Sequence, residues 1–144
     1  MLNKYIMGNQ NNIPIEKRES YQTSRNIFAS FKYAINGLIY CFNTTRNFRI
    51  QILFGSLVMI TCSLLRCSLN EYMIIIPTIF SVLILELLNT SIESIVDLHV
   101  KNKFNKLAKI SKDCSAASVL LASLNSMFVA AFIFLPKIKL ILFN

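Results

Sequence analysis

Three acids follow directly on an apolar run. In ELLNTSIESIVD, residues 86–97, the polar positions Glu86, Asn89, Glu93 and Asp97 are spaced three, four and four apart. On a helix this spacing keeps all four within one stripe. Two glutamates seven residues apart stand ~10.5 Å apart along the axis, at 1.5 Å per residue. One carboxyl group can therefore sit inside the bilayer edge while the other meets water. Ionisable groups at membrane depth are rare and usually functional.

Three readings of the stripe compete. It can be a solvated helix end whose acids pair with Lys101, Lys106 or Lys112. It can line an ion or proton path. Or it can be a metal-assisted site, in which one carboxyl group holds Mg²⁺ and another, nearer the lipid, takes a proton. Lys112, beside Asp113, would then meet phosphates arriving from the aqueous side. The chemistry that fits the third reading is phosphoryl transfer to a lipid alcohol. The hydroxyl needs a base at membrane depth, and a soluble nucleotide needs a metal held by acids just outside. The only glycines are Gly8, Gly37 and Gly55, and neither GxxxxGK[ST] nor GxGxxG occurs. A glycine loop cradling phosphates is thereby excluded. These arguments permit a lipid kinase without selecting it.

The elements that position the stripe read as membrane helices. The chain is 54% hydrophobic and 15% charged, against about 25% charged in a typical soluble domain. With 144 residues it has room for one domain, whose core could not hide so much apolar surface. Residues 1–24 are polar and of mixed charge. They read as a disordered tail with no secretory h-region, and Thr23 or Ser24 offers a cap to the helix that follows. Residues 25–45 place Ile27, Phe28, Phe31, Ala34, Ile35, Leu38, Ile39 and Phe42 at helical spacing. That predicts an amphipathic surface helix with a basic flank, too polar to span.

Three spans are expected after it. The first covers 48–65, with Arg49 snorkelling at its start, and a turn, RCSLNE, follows at 66–71. The second runs 72–97, long enough only if the helix continues through Glu86 and Asn89. Pro77 falls near its first turns, where a missing amide does least damage. Residues 97–113 form a basic loop, and the third span, 114–135, ends at Pro136 with Lys137 and Lys139 anchoring the exit. The fold class is thus an all-α membrane protein: a surface helix plus three transmembrane helices within residues 25–139.

Charge asymmetry orients it. Lys and Arg number seven up to Arg49 and five in 97–113, against one in the turn and two at the C-terminus. The positive-inside rule places the N-terminus and the 97–113 loop in the cytoplasm, and with them the acidic stripe. The formal charge of +8 is explained by topology, which argues against a nucleic-acid partner. The four cysteines form no CxxC pair, and His99 is the single histidine. Zinc is disfavoured, and the cysteines read as small apolar fillers.

ELLNTSIESIVDL resembles the signature of the small prokaryotic lipid kinases, the diacylglycerol kinases and their undecaprenol kinase relatives. Glu86, Asn89, Thr90, Ser91, Glu93 and Asp97 match it. LAKISKDCSAASVLL (107–121) resembles the family's second block, and FKYAINGLIYCF and TRNFRIQ its surface helix and entry to the first span. The similarity covers about residues 27–136. It implies a homotrimer in the cytoplasmic membrane, with active sites between subunits that use MgATP. It also implies roles. Glu86 is the general base that meets the lipid hydroxyl, Glu93 a metal ligand near the ATP phosphates, and Asn89 and Asp97 supports. Lys112, Asp113 and Tyr33 are nucleotide contacts.

The chain departs from that pattern in places. Thr45, followed by Arg46, stands where the family has a second metal-binding glutamate. Asn26, beside Arg25, stands where an ATP-contacting Arg is expected. Lys103, Phe104 and Asn105 replace Glu-Tyr-His, in a loop one residue longer. The segment VDL and the FLPK ending look closer to the undecaprenol branch.

Overall fold

The computed structural model describes residues 27–101 and 103–143. The expected tail, the caps Thr23 and Ser24, and the pair Arg25–Asn26 lie outside these residues. Among the described residues all regular structure is helical: α1 (Ile27–Thr44), α2 (Arg46–Leu64), α3 (Leu69–Val100) and α4 (Lys106–Phe143). The chain divides into two compact units, residues 1–44 and 45–144. α1 is the helix of the first unit, and α2, α3 and α4 form the second.

α2, α3 and α4 are each long and apolar enough to cross a membrane. α3 packs mainly on α4 and to a lesser extent on α2. Their shared interior is thin: Phe48 and Cys62 from α2, Ile75 and Val82 from α3, and Val119 from α4 are buried. Large side chains such as Phe80, Phe128 and Phe132 face outward. That is the reverse of a water-soluble domain and suits a surface solvated by acyl chains.

The helix ends differ from the sequence expectation for identifiable reasons. α2 closes with Arg66 left-handed at φ 50°. The Arg66 amide donates to the Ser63 carbonyl and the Cys67 amide to the Cys62 carbonyl, which is a Schellman ending built without glycine. The turn is therefore shorter than 66–71. Ser68 caps α3, and Ser68 and Glu71 form a reciprocal capping box, so Leu69, Asn70 and Glu71 belong to the helix.

Pro77 is consequently more than two turns into α3. It removes the bond that residue 73 would accept. The neighbouring hydroxyls stay inside the helix: Thr78 donates to the Ile74 carbonyl at 2.7 Å and Ser81 to the Thr78 carbonyl at 2.7 Å. Much of the expected 97–113 loop is helix. α3 continues to Val100, and α4 begins at Lys106 because Asn105 Oδ1 accepts from the amides of Leu107 (2.9 Å) and Ala108 (3.2 Å). Polarity marked that segment as a loop, but capping chemistry made it helix.

Pro136 does not end α4; the helix runs on to Phe143. Proline costs one interior bond, and the residues after it are good helix formers. The continuation keeps Lys137 on α4, where it pairs with Glu71 at 3.0 Å instead of only facing headgroups. That ion pair ties the start of α3 to the far end of α4.

Candidate active site

The middle of α3 carries the acids. Glu86 is 1% exposed. Its Oε2 accepts from Gln51 Nε2 of α2 at 2.9 Å. Among the described residues its buried Oε1 has no hydrogen-bond partner, and Gln51 Oε1 is in the same state. Buried polar atoms are nearly always paired, so open acceptors on two side chains that bond each other mark a place shaped for a donor that comes from elsewhere. Both residues line a cleft of about 630 Å³ formed by α2, α3 and α4. This is ordinary ligand-site size.

The rest of the cleft wall is mostly apolar, including Phe54, Val58, Leu83, Val119, Leu120 and Met127. On α4 the lining extends from Ala116 to Ala130, ~21 Å at 1.5 Å per residue. The cleft is thus a long greasy trough with one carboxyl group toward an end. Gly55 lets its walls approach: a Cβ there would lie 2.9 Å from Ile79 Cγ2.

One turn on, Asn89 also lines the cleft and is 8% exposed. Its amide nitrogen donates to Glu93 Oε1 at 3.2 Å, and its carbonyl accepts from Ser115 Oγ of α4 at 2.6 Å. A further turn past Glu93, Asp97 receives Lys112 Nζ at 2.9 and 3.1 Å. The stripe is therefore real, and the solvated-end reading holds for one member, since Asp97 does pair with Lys112. Glu86 and Asn89 are buried instead.

Asp113 is exposed on α4, and Tyr33 stands on α1. Thr45 is the N-cap of α2 without a side-chain cap bond. Its hydroxyl lies 3.5 Å from that of Thr90, which itself donates to the Glu86 carbonyl at 3.0 Å. A hydroxyl pair thus occupies the place where a second acid was expected.

Among the described residues no three His, Cys, Asp or Glu gather as a metal cage. Mg²⁺, however, commonly takes only one or two carboxylates and completes its shell with water and substrate phosphates. Glu93, one turn from Asp97, fits an ion that arrives with a nucleotide. It does not fit a preformed site.

Two residues that the sequence reading did not single out are part of this geometry, Gln51 and Ser115. Gln51 carried a faint signal as an amide inside an expected span, where polar side chains tend to serve helix contacts. Ser115 carried none, being one of several small residues in its block.

Comparison with known proteins decides the family. Residues 32–134 match the prokaryotic diacylglycerol kinase family. The chain belongs to that family. A diacylglycerol kinase of Synechocystis sp. (strain ATCC 27184 / PCC 6803 / Kazusa) is 41% identical over 122 residues, covering 85% of this chain and 70% of that protein. An undecaprenol kinase of Bacillus subtilis (strain 168) is 39% identical over 111 residues, covering 77% of this chain and 89% of that one. With its three apolar helices, this member of the prokaryotic diacylglycerol kinase family is a multi-pass membrane protein.

Proposed function

We propose that the chain transfers the γ-phosphoryl group of ATP to the hydroxyl of a membrane lipid, diacylglycerol or undecaprenol, at the cytoplasmic face of the cell membrane. By family it is a lipid kinase. The observation that carries the reaction is the unpartnered, buried Oε1 of Glu86 in an apolar cleft.

A lipid lying in the trough brings its hydroxyl to that oxygen. Glu86 accepts the hydroxyl proton, and Gln51 holds the other carboxyl oxygen still. The freed alkoxide oxygen forms a bond to the γ-phosphorus as the bond to the ADP oxygen breaks, and ADP leaves. Glu93, Lys112 and Asp113 receive the nucleotide from the aqueous side, and Asn89 and Asp97 hold the receiving face in shape. Magnesium bound at Glu93 would neutralise charge on the phosphates. The excess of Lys and Arg in the segments before α2 and between α3 and α4 supports a cytoplasmic N-terminus. The family resemblance supports a homotrimer, and the helical spacing of apolar residues over 25–45 supports α1 as an amphipathic surface helix.

The test is transfer of labelled phosphate from MgATP to each lipid by the purified protein in detergent. Product with one or both lipids is expected. A folded protein that phosphorylates neither would sink the reading. The ratio of the two rates assigns the preferred alcohol.

A further inference from the structure

The Asn89 amide sits between two helices, and among the described residues one donor reaches its carbonyl. Ser115 Oγ lies 2.6 Å from Asn89 Oδ1 and 2.9 Å from the Lys112 carbonyl of its own helix, and its single hydrogen goes to the shorter contact. The serine is 7% exposed and Asn89 8%, so water does not readily replace either contact. With the carbonyl satisfied by α4, the amide nitrogen is turned to Glu93 Oε1 at 3.2 Å. The opposite rotamer would set the amide oxygen against the Glu93 carboxyl oxygen.

Glu93 makes no hydrogen bond to α4 among the described residues. It is bracketed instead. One turn before it, Asn89 is tied to Ser115; one turn after it, Asp97 is tied to Lys112. The two ties fix the gap between α3 and α4 on either side of the Glu93 carboxyl group.

We propose that Ser115 is a positioning residue for the nucleotide end of the site: through Asn89 it aims Glu93 at the metal–nucleotide complex. This rests on the kinase reading and adds a residue to it. Ser115 is not among the residues that line the apolar cleft, so its loss should show in nucleotide affinity and not in lipid affinity. Side chains that orient a ligand-bearing carboxylate typically matter on the order of tenfold in affinity or activity.

The experiment compares Ser115→Ala, Ser115→Cys and Ser115→Thr with the parent protein. Two quantities are read: the KM for MgATP against that for lipid, and the rise in thermal stability produced by MgATP without lipid. Ser115→Ala should raise the KM for MgATP about tenfold, leave the KM for lipid within about twofold, and diminish the thermal rise. Ser115→Cys keeps the volume and weakens the donor, and it should fall between parent and Ser115→Ala. Ser115→Thr keeps the hydroxyl and should return both readouts toward the parent.

Equal values for Ser115→Ala and the parent overturn the proposal alone. So does an equal loss in Ser115→Ala and Ser115→Thr, since that reports packing. If the parent neither gains stability with MgATP nor transfers phosphate, the kinase reading falls and this inference with it.

Discussion

Glu86 and its neighbours make sharp demands at the residue scale. A carboxyl group with one oxygen pinned and the other open suits the proposed base, which must take a proton at one place. Glu86→Gln keeps size and burial but lacks that basic oxygen, so it should lose at least about 10³-fold in turnover, a loss typical of removing general-base help. Detergent-purified protein of unchanged elution volume would show that the loss is chemical. Gln51→Leu tests the pin. With its carboxyl group free to rotate, the base should be misplaced and kcat should fall about tenfold to a hundredfold, as small misplacements do. Nucleotide-induced stabilisation should be unchanged, because Gln51 lies at the lipid end. The acids were legible from spacing alone, and the structure places each where the 3-4-4 stripe required. Their partners were not, because Gln51 and Ser115 reach Glu86 and Asn89 across helices. Such pairing depends on helix rotation and crossing, which apolar periodicity does not encode.

At the scale of the element, Gly55 and Ile79 set how closely α2 and α3 approach beside the cleft. The clashing atom is a branch methyl next to the backbone, not the tip of a flexible chain. Gly55→Ala should therefore lower the thermal midpoint, by an amount matching about 1–3 kcal/mol of overpacking. Adding Ile79→Ala removes the obstructing methyl, and the double variant should lose less than the sum of the two single changes. Thermal unfolding of all four proteins in one detergent reads both. The existence and order of the helices could be read from hydropathy, but several ends could not. Ser68 and Asn105 begin helices inside segments whose polarity suggested loops. Pro136 is carried through a helix whose other bonds remain. Capping groups and tolerated prolines act locally, below the resolution of a hydropathy window.

For the whole molecule, the lopsided placement of basic residues supports the proposal that the basic end of the bundle faces the nucleotide pool. Two native thiols test this. Cys67 sits in the α2–α3 turn and is partly exposed, and Cys114 is exposed near the basic end of α4. A membrane-impermeant maleimide added outside intact cells should modify Cys67 and spare Cys114; opened vesicles should expose Cys114. The opposite pattern would invert the topology and detach the acids from ATP. The greasy trough along α4 has a further consequence. An alcohol that fits there need never pass through water, since it can drift in sideways within its own leaflet. The reaction would then be two-dimensional on one side and three-dimensional on the other. Turnover should track the mole fraction of lipid in the micelle or bilayer, so adding empty detergent micelles at constant total lipid should slow the enzyme as though its substrate had been diluted.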